Sequence, residues 1–326
     1  MTGARPVRGE PSVAKKRTTA QKQRARQRQQ QRATAADASS QGRAGQRGAS
    51  ASRRPAGRSS ARWSWIAVAV VVVVVAGMAV LSLNRSPRQS ADRGSAAAIA
   101  KVTSVPASTF AAVGIPKNLP AIPRLPAGTP AVTQDGKPVV TYVGAEYCPF
   151  CAMERWPMVI ALSRFGTFSN LGTTTSAAND IHPNTPTLTF HGSTYTSDYL
   201  VFSAVETHTN KPTSNGGYTT LDPMTPRQQR LFETYDRQQY TGGTDGGIPF
   251  VMIGNLYAWA GATYNGDTLN TYTFDQIANL LSDPSNPVAR EIVGAANQIT
   301  SLICDLTGGQ PTSVCSAPYL QTPKGP

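Results

Sequence analysis

A long hydrophobic run extends from Trp63 to Leu83, 21 residues without a charged side chain. A helix needs about 20 apolar residues to cross the hydrocarbon layer, and a lone strand cannot satisfy its backbone there. Trp63 and Trp65 stand where a membrane interface is expected, and an arginine flanks the run on each side. The pattern therefore predicts one transmembrane helix over residues 63–83. A cleaved signal peptide is the alternative, but the 62 preceding residues and the length of the run argue against it.

The pattern changes twice after this run. Residues 84–135 are rich in Ser, Ala and Pro, and their repeated X-Pro steps predict an extended linker, part of which could instead dock on the following domain. Residues 136–326 have few charges and regular turn signals, and about 190 residues are ample for one well-cored domain. We therefore predict one extracytoplasmic domain over residues 136–326.

Short apolar runs and capping residues predict the elements of this domain. Strands are predicted at residues 138–144, 187–190 and 200–206, with two hydroxyl-rich segments, 185–190 and 195–206, as strand surfaces. A hairpin is predicted from residues 250–253 and 256–259 around the two-residue turn Gly254-Asn255. Helices are predicted at residues 149–163, 226–239, 274–281 and 287–306, the second behind the cap Thr225 and the fourth behind the cap Asn286.

Charge is concentrated before the predicted span. Residues 1–62 contain 16 Lys and Arg and two acids, whereas the whole chain has a net charge of +13, so the rest is close to neutral. The Arg/Gln/Ala/Ser/Gly composition of residues 1–62 predicts a disordered tail. Its charge suits anionic lipid headgroups, and nucleic acid is the less favoured partner because no aromatic residues interleave the basic ones. Positive charge remains inside, so the tail is predicted to be cytoplasmic and the domain extracytoplasmic, in a single-pass cell-membrane protein.

The candidate chemistry lies in the segment AEYCPFC, where Cys148 and Cys151 follow an apolar strand and begin a helix. A helix N-terminus favours an anion, so we expect a stabilised Cys148 thiolate that acts as nucleophile in thiol–disulfide exchange. Cys151, nearly one turn later, is placed to resolve the mixed disulfide. Glu146 is a candidate proton acceptor, although a solvated loop carboxylate is the simpler interpretation.

Other chemistries fit this motif less well. Haem attachment requires a histidine after the second cysteine, where Ala152 stands, and zinc requires two more ligands at close spacing. His182, His191 and His208 are the only histidines, and they are more typical of polar surface than of a metal site. We therefore expect no metal and no cofactor.

The segment GGIPFVMI places Pro249 at the start of an apolar strand, and together with AEYCPFC it resembles thioredoxin and its relatives over residues 136–285. A plain strand opener is the alternative for Pro249. The resemblance implies an α/β thioredoxin-like domain in which a cis-proline at Pro249 faces Cys148 and Cys151 and orients substrate. It also implies an insertion between the CxxC helix and the cis-Pro strand, as in periplasmic disulfide oxidases.

This sequence departs from the thioredoxin pattern at two places. Tyr142 stands where thioredoxins keep a buried acid, and Pro-Phe separates the cysteines where a dedicated oxidase has Pro-His. The overall layout also looks like an uncharacterised bacterial and archaeal family of membrane-anchored thioredoxin-like proteins, from which no activity carries over.

Cys304 and Cys315 form the second cysteine pair, with ten residues between them that include Gly308, Gly309 and Pro311. Outside the cytoplasm a disulfide is the default for such a pair, and closing this loop would stabilise the fold by about 2–3 kcal/mol. We predict a structural disulfide; a relay pair that exchanges with Cys148 and Cys151 is the sharper alternative.

The sequence thus favours a membrane-tethered thiol–disulfide oxidoreductase that acts on thiols and disulfides of exported proteins and is recycled by a membrane redox partner. The main alternative is a non-catalytic binding or scaffold domain in which Cys148 and Cys151 form a permanent disulfide. A third interpretation makes the outer domain a redox sensor coupled to the basic tail. The sequence does not indicate whether the enzyme would oxidise, reduce or isomerise disulfides.

Overall fold

The computed structural model describes residues 94–320. The predicted tail at residues 1–62 and the predicted transmembrane helix at residues 63–83 lie outside the described residues. Within residues 94–320, no single helix has the length and apolar composition to cross a membrane, and only a pair of short helices bent by 57° passes that test jointly.

The described residues form a mixed α/β structure whose elements are numbered here in chain order. The helices are α1 (Ala96–Thr103), α2 (Ala107–Val113), α3 (Pro149–Leu162), α4 (Pro226–Tyr235), α5 (Gln238–Thr241), α6 (Phe274–Leu280), α7 (Pro287–Leu306) and α8 (Thr312–Cys315), with short 3-10 helices at Leu269–Thr271 and Pro318–Leu320. The strands are β1 (Thr133–Gln134), β2 (Lys137–Gly144), β3 (Gly166–Ser169), β4 (Gly172–Thr175), β5 (Pro186–Thr189), β6 (Thr194–Ser197), β7 (Val201–Glu206), β8 (His208–Pro212), β9 (Tyr218–Thr220), β10 (Phe250–Ile253) and β11 (Tyr257–Ala260).

A five-stranded sheet organises the fold around β2. On one side β2 pairs in parallel with β7, and β1 pairs antiparallel with the first residues of β2. On the other side β10 pairs antiparallel with β2 and then with β11, so the path across the sheet is β7, β2, β10, β11. Three separate two-stranded ladders, β3 with β6, β4 with β5 and β8 with β9, lie outside this sheet.

Alternate residues of the sheet face two hydrophobic clusters, as the two-residue period of a strand requires. Val140 and Tyr142 belong to the larger cluster, which includes α3, α6 and α7. Val143 belongs to the smaller cluster, which includes Phe250 and the partly buried side chains of α4. Helix α3 is therefore enclosed on all sides, and each of its residues except Phe150 is buried. Apart from Glu154 and Arg155, the helix is apolar on all its faces, which fits such a buried position.

The segment predicted as an extended linker contains two helices within its described part. Ala98 and Val102 of α1 and Phe110 of α2 are buried in the larger cluster, and α1 packs against α6 and α3. Asn297 of α7 donates hydrogen bonds to the carbonyls of Phe110 and Gly114, at 3.0 and 2.8 Å. The Ala and Ser composition of this stretch suits short helices as well as linkers, and burial against α7 selects the helices. Residues 94–113 are thus part of the folded unit.

Most predicted elements are present within a residue or two, and two differ for identifiable reasons. The helix predicted at residues 226–239 ends at Tyr235, because Asp236 leaves helical geometry and its carbonyl accepts the Gly246 N–H at 3.2 Å. The strand predicted at residues 187–190 as a surface strand is buried, as β5. The Thr187 hydroxyl has a hydrogen-bond partner there, because it donates to the Ala152 carbonyl at 2.6 Å.

Candidate functional site

Cys148 occupies the N-cap position of α3. Strand β2 ends at Gly144, a tight turn follows, and Pro149 begins the helix at a position where its missing N–H costs nothing. The Cys148 Sγ accepts the backbone N–H of Cys151 at 3.2 Å, so a sulfur caps the first turn of the helix. This places the sulfur at the positive end of the helix dipole, where a thiolate is favoured.

The two thiols of the motif differ in environment. Cys148 is 4% exposed and Cys151 is 0% exposed, and both are free cysteines in this structure. Burial raises the pKa of Cys148, but hydrogen bonds from Cys151 and the positive charge of Arg155 outweigh burial, so the pKa is lowered overall. Burial raises the pKa of Cys151 well above its usual value. Cys148 is therefore the thiol that ionises first.

The loop that contains Pro249 lies beside Cys148. The Ile248–Pro249 peptide bond is cis, and Pro249 is buried directly before β10. The Cys148 thiol donates to the carbonyl of Ile248 at 3.4 Å, across 100 residues of sequence. The structure thus brings together Cys148, Cys151 and Pro249, the three residues predicted for the site.

A buried ion pair lies beside the cysteines, and the sequence reasoning missed it. Arg155 donates from Nε and Nη2 to the two carboxylate oxygens of Glu206, each at 2.7 Å, and also from Nη2 to the carbonyl of Ala145 at 2.7 Å. Both side chains are 0% exposed. Arg155 lies one turn after Cys151 on α3, whereas Glu206 ends β7. Fifty-one residues separate the partners, so no local pattern signals the pair.

Tyr142 faces the same buried cluster. Its side chain is 0% exposed, and its hydroxyl has no hydrogen-bond partner among the described residues. Burial raises its pKa well above the usual value, and Arg155 is the charge that opposes this shift most. The absence of a side chain at Gly144 makes room for the ring, because a Cβ there would collide with the Tyr142 hydroxyl. Tyr142 is therefore a buried, neutral side chain beside Arg155.

Glu154, on α3, is a second buried carboxyl group near the site. It accepts hydrogen bonds from the Trp259 indole at 3.2 Å and from the Thr263 backbone N–H and hydroxyl at 2.8 Å each. Burial raises its pKa to about 8, against the opposing effect of these donors. The Glu154 side chain therefore links α3 by hydrogen bonds to β11 and to the loop after it.

A groove with a volume of about 790 Å³ lies next to Phe150, which is the residue between the two cysteines that lines it. Its walls come from α3, from the two loops that flank β10 and β11, and from the segment before β1; they include Phe150, Met153, Ile248, Gly261, Leu119 and Tyr264. Asp267 and Glu291 are its charged lining residues. Phe150, between the two cysteines, is 40% exposed, and Ile181, in the loop that contacts Tyr147, is 67% exposed. The site is thus apolar, partly exposed and edged by acids.

The histidines do not converge on one point. His182 packs edge-to-face on Phe150 at 6.0 Å and lies 3.3 Å from Asp267, whereas His208 packs near Tyr147 and His191 pairs with Asp222. Tyr147 also stacks on Tyr218 of β9 at 4.2 Å. Across residues 94–320 no three side chains of His, Cys, Asp or Glu group as metal ligands. Glu146, the candidate proton acceptor, donates its backbone N–H to the carbonyl of His208 at 2.8 Å.

Cys304 and Cys315 are bonded to each other, with their Cα atoms 5.5 Å apart. Cys304 lies in the last turn of α7, where Leu306 packs against Gly254 in the turn after β10, and Gly254 bonds to Val139 near the start of β2. Cys148 follows the other end of β2. The two pairs therefore lie at opposite ends of the central sheet, which leaves the relay alternative without a direct route.

The chain matches the model of a known protein family. A family model described as a domain of unknown function (DUF929) matches residues 128–305. That range contains Cys148, Cys151, Arg155, Glu206 and Pro249, together with Cys304. No curated protein and no solved structure matches the chain.

Proposed function

The chain belongs to the DUF929 family, a family of unknown function, and we propose from its site that it is a membrane-tethered thiol–disulfide oxidoreductase. Cys148 is the nucleophile, Cys151 resolves the mixed disulfide, and Pro249 orients the substrate chain. The observation that carries the proposal is the position of the Cys148 sulfur at the N-terminus of α3, where it accepts the Cys151 N–H and where the pKa of the thiol is lowered. The thiolate is the attacking species in disulfide exchange.

The topology supports a thioredoxin-like domain as the scaffold of this chemistry. Strand β2, helix α3, the parallel strand β7, the Pro-led hairpin of β10 and β11, and a final helix follow in the order of the thioredoxin fold. The segments that contain β3 to β6 and β8 to α5 stand as insertions in this proposal. The carbonyl of Ile248 beside the Cys148 sulfur supports a role of the Pro249 loop in binding extended backbone.

The proposed substrates are exported proteins with thiols or disulfides. The predicted span at residues 63–83 would place the domain outside the cytoplasm at the membrane surface, where a membrane redox partner would recycle it. The apolar groove with Asp267 and Glu291 suits a polypeptide segment that presents an apolar and a basic side chain near its cysteine.

The reaction balances without a cofactor. The Cys148 thiolate attacks a substrate disulfide, one substrate sulfur leaves as thiolate, and a mixed disulfide forms. Cys151 then attacks Cys148, the second substrate thiolate leaves, and Cys148 and Cys151 become a disulfide. The substrate has gained two electrons and the protein has lost two; the reverse sequence oxidises a substrate dithiol.

The test is the reduction potential of the Cys148/Cys151 pair in the full chain, titrated against glutathione and followed by alkylation and peptide mass. A shorter protein that begins near residue 134 is unsuitable, because it would lack α1 and α2. A potential between about −120 and −270 mV, the range of known exchange proteins, is expected. A potential well below about −300 mV would mark the bond as structural.

The scaffold function is the second candidate, and one observation favours it. Cys148 is only 4% exposed, which restricts access to the sulfur in this conformation. A scaffold predicts a permanent Cys148–Cys151 disulfide that glutathione does not reduce and a groove that binds the same partners whether or not the cysteines are present. Binding measured with a Cys148→Ala/Cys151→Ala variant separates the two functions.

A further inference from the structure

The Arg155–Glu206 pair is sealed inside the protein next to the redox motif. Charges buried without solvent cost several kcal/mol each unless they are paired and hydrogen-bonded. Glu206 is held at both oxygens by Arg155, and its Oε1 also accepts the Phe190 N–H at 3.4 Å. Arg155 in turn anchors on the carbonyl of Ala145, three residues before Cys148. The pair therefore holds the positively charged guanidinium of Arg155 next to the turn that precedes Cys148.

Arg155 does not use all its donors in this arrangement. Its Nη1 is buried and has no partner within residues 94–320, and the Tyr142 hydroxyl next to the same cluster is in the same condition. A guanidinium group offers five N–H donors, and an unused buried donor is costly. A group that becomes a hydrogen-bond acceptor only in another state of the protein would accept from Arg155 Nη1 or from the Tyr142 hydroxyl.

Cys151 needs such a donor or charge during exchange. It is 0% exposed and must carry a negative charge when it attacks Cys148, or when it leaves in the reverse direction. Cys148 has the end of the helix to stabilise its thiolate, but Cys151 lies inside the first turn and lacks that position. Arg155 lies four residues later, on the same face of α3 as Cys151. Its charge lowers the pKa of Cys151, whereas that of Glu206 raises it.

We propose that Arg155 is the residue that stabilises the Cys151 thiolate in the resolving step, and that Glu206 positions it. This inference rests on the proposed function. In that step the Cys151 thiol gives its proton to solvent, its sulfur bonds to the Cys148 sulfur, and the bond from Cys148 to the substrate sulfur breaks. The substrate sulfur leaves with the electron pair as a thiolate. Glu206 is a positioning residue that holds the guanidinium and offsets part of its charge.

The experiment follows the Cys148 mixed disulfide in the full chain. Reduced protein is mixed with glutathione disulfide, quenched with acid at successive times, and the glutathione adduct on the Cys148 peptide is measured by mass. In the wild type the adduct is transient, because Cys151 expels glutathione. In Cys151→Ser it accumulates and stays, which sets the scale for complete loss of resolution.

The test variant is Arg155→Met/Glu206→Gln, which removes the charge of Arg155 without leaving Glu206 as a stranded buried anion. Resolution should slow by about tenfold or more, because each unit of Cys151 pKa changes the thiolate fraction about tenfold. Glu206→Gln alone keeps one oxygen acceptor for the Arg155 guanidinium but removes the negative charge that raises the pKa of Cys151, so resolution should be faster than in the wild type. Arg155→Lys keeps a charge without the paired geometry and should restore part of the rate.

The outcomes separate the inference from the function on which it rests. Wild-type resolution in the double variant, with the adduct persisting only in Cys151→Ser, would overturn the role of Arg155 and leave the oxidoreductase in place. Failure of the wild type and of Cys151→Ser to form any adduct would overturn the proposed function itself. If the double variant does not fold, Glu206→Gln and Arg155→Lys decide, since a purely structural pair predicts equal slowing in both.

Discussion

The two cysteine pairs of this domain lie at opposite ends of two helices. Cys148 precedes the first turn of α3, where the positive end of the helix dipole and the Cys151 N–H favour a thiolate. Cys304 lies in the last turn of α7, where unpaired carbonyls and the negative end of the dipole disfavour one. The first pair is present as two thiols and the second as a disulfide. The two pairs thus differ in their position relative to the helix dipole as well as in cysteine spacing.

The largest test of this contrast compares a variant that lacks the Cys148 sulfur with one that lacks both sulfurs of the second pair. Cys148→Ala should reduce the rate of exchange with glutathione disulfide by at least about a hundredfold. The remaining thiol of the motif, Cys151, is buried, and its pKa is raised well above the usual value. Cys304→Ala/Cys315→Ala should leave the rate unchanged. Adduct formation per unit time is the measurement, and loss of exchange in the Cys304/Cys315 variant would revive the relay alternative.

The second test measures what the disulfide contributes to stability. The bond closes a loop between residues 11 apart in sequence, and its removal should lower the free energy of unfolding by about 3 kcal/mol in the chain-entropy treatment. Urea unfolding of Cys304→Ala/Cys315→Ala against the wild type gives the value. Cys148→Ala/Cys151→Ala is the matched control, and a loss there as large as in the disulfide variant would contradict the division of roles.

Glu154 lies on α3, the helix that begins at the first cysteine pair, and it provides a third test. Its titration should make the free energy of unfolding depend on pH. Its pKa is raised to about 8 in the folded protein, so the folded state holds a proton that the unfolded chain releases near pH 4.5. The stability that this group contributes is therefore present at low pH and falls as pH rises towards 8. Between pH 5 and pH 7 the loss should be about 2.5 kcal/mol.

The matched variant is Glu154→Gln, which keeps an acceptor for Trp259 and Thr263 but does not titrate. Its unfolding free energy should fall less between pH 5 and pH 7 than that of the wild type. Equal slopes in the two proteins would show that Glu154 is ionised in the folded state throughout this range, held by its three donors.

The sequence predicted the parts of the site that depend on local signals. The motif at Cys148 and Cys151, the capped helix behind it and the strand after Pro249 follow from short patterns, and the structure contains each of them. The Arg155–Glu206 pair could not be predicted, because a charged residue in an apolar helix is ordinarily assigned to its exposed face. Its partner lies on a strand 51 residues away, and only the parallel pairing of β2 with β7 brings the two together.

The helices at residues 96–113 escaped prediction for a different reason. Their small side chains give a weak hydrophobic period, and proline and serine between them are typical of linkers. Burial of Val102 and Phe110 against other helices decides the outcome, and that packing is tertiary information. Composition alone therefore did not predict these two helices.

The smallest expected effect concerns Tyr142, whose hydroxyl is buried without a partner. Tyr142→Phe removes an unsatisfied polar group and keeps the ring that packs on Phe190 at 4.8 Å. Stability should stay the same or rise by up to about 1 kcal/mol, as measured by urea unfolding. Slower resolution of the Cys148 adduct in this variant would instead show that the hydroxyl donates to a cysteine sulfur during exchange.

The contact between Trp259 and Glu154 also gives the domain an optical property. Indole fluorescence responds to a charge that appears at its N–H, and the Trp259 Nε1 lies 3.2 Å from the carboxyl oxygen of a group that titrates near pH 8. Trp156, the other tryptophan of the described residues, stacks on Phe274 and donates its indole N–H to the carbonyl of Pro186 instead of to Glu154. The emission of Trp259 therefore reports the protonation state of the helix that carries the cysteines, without any added label.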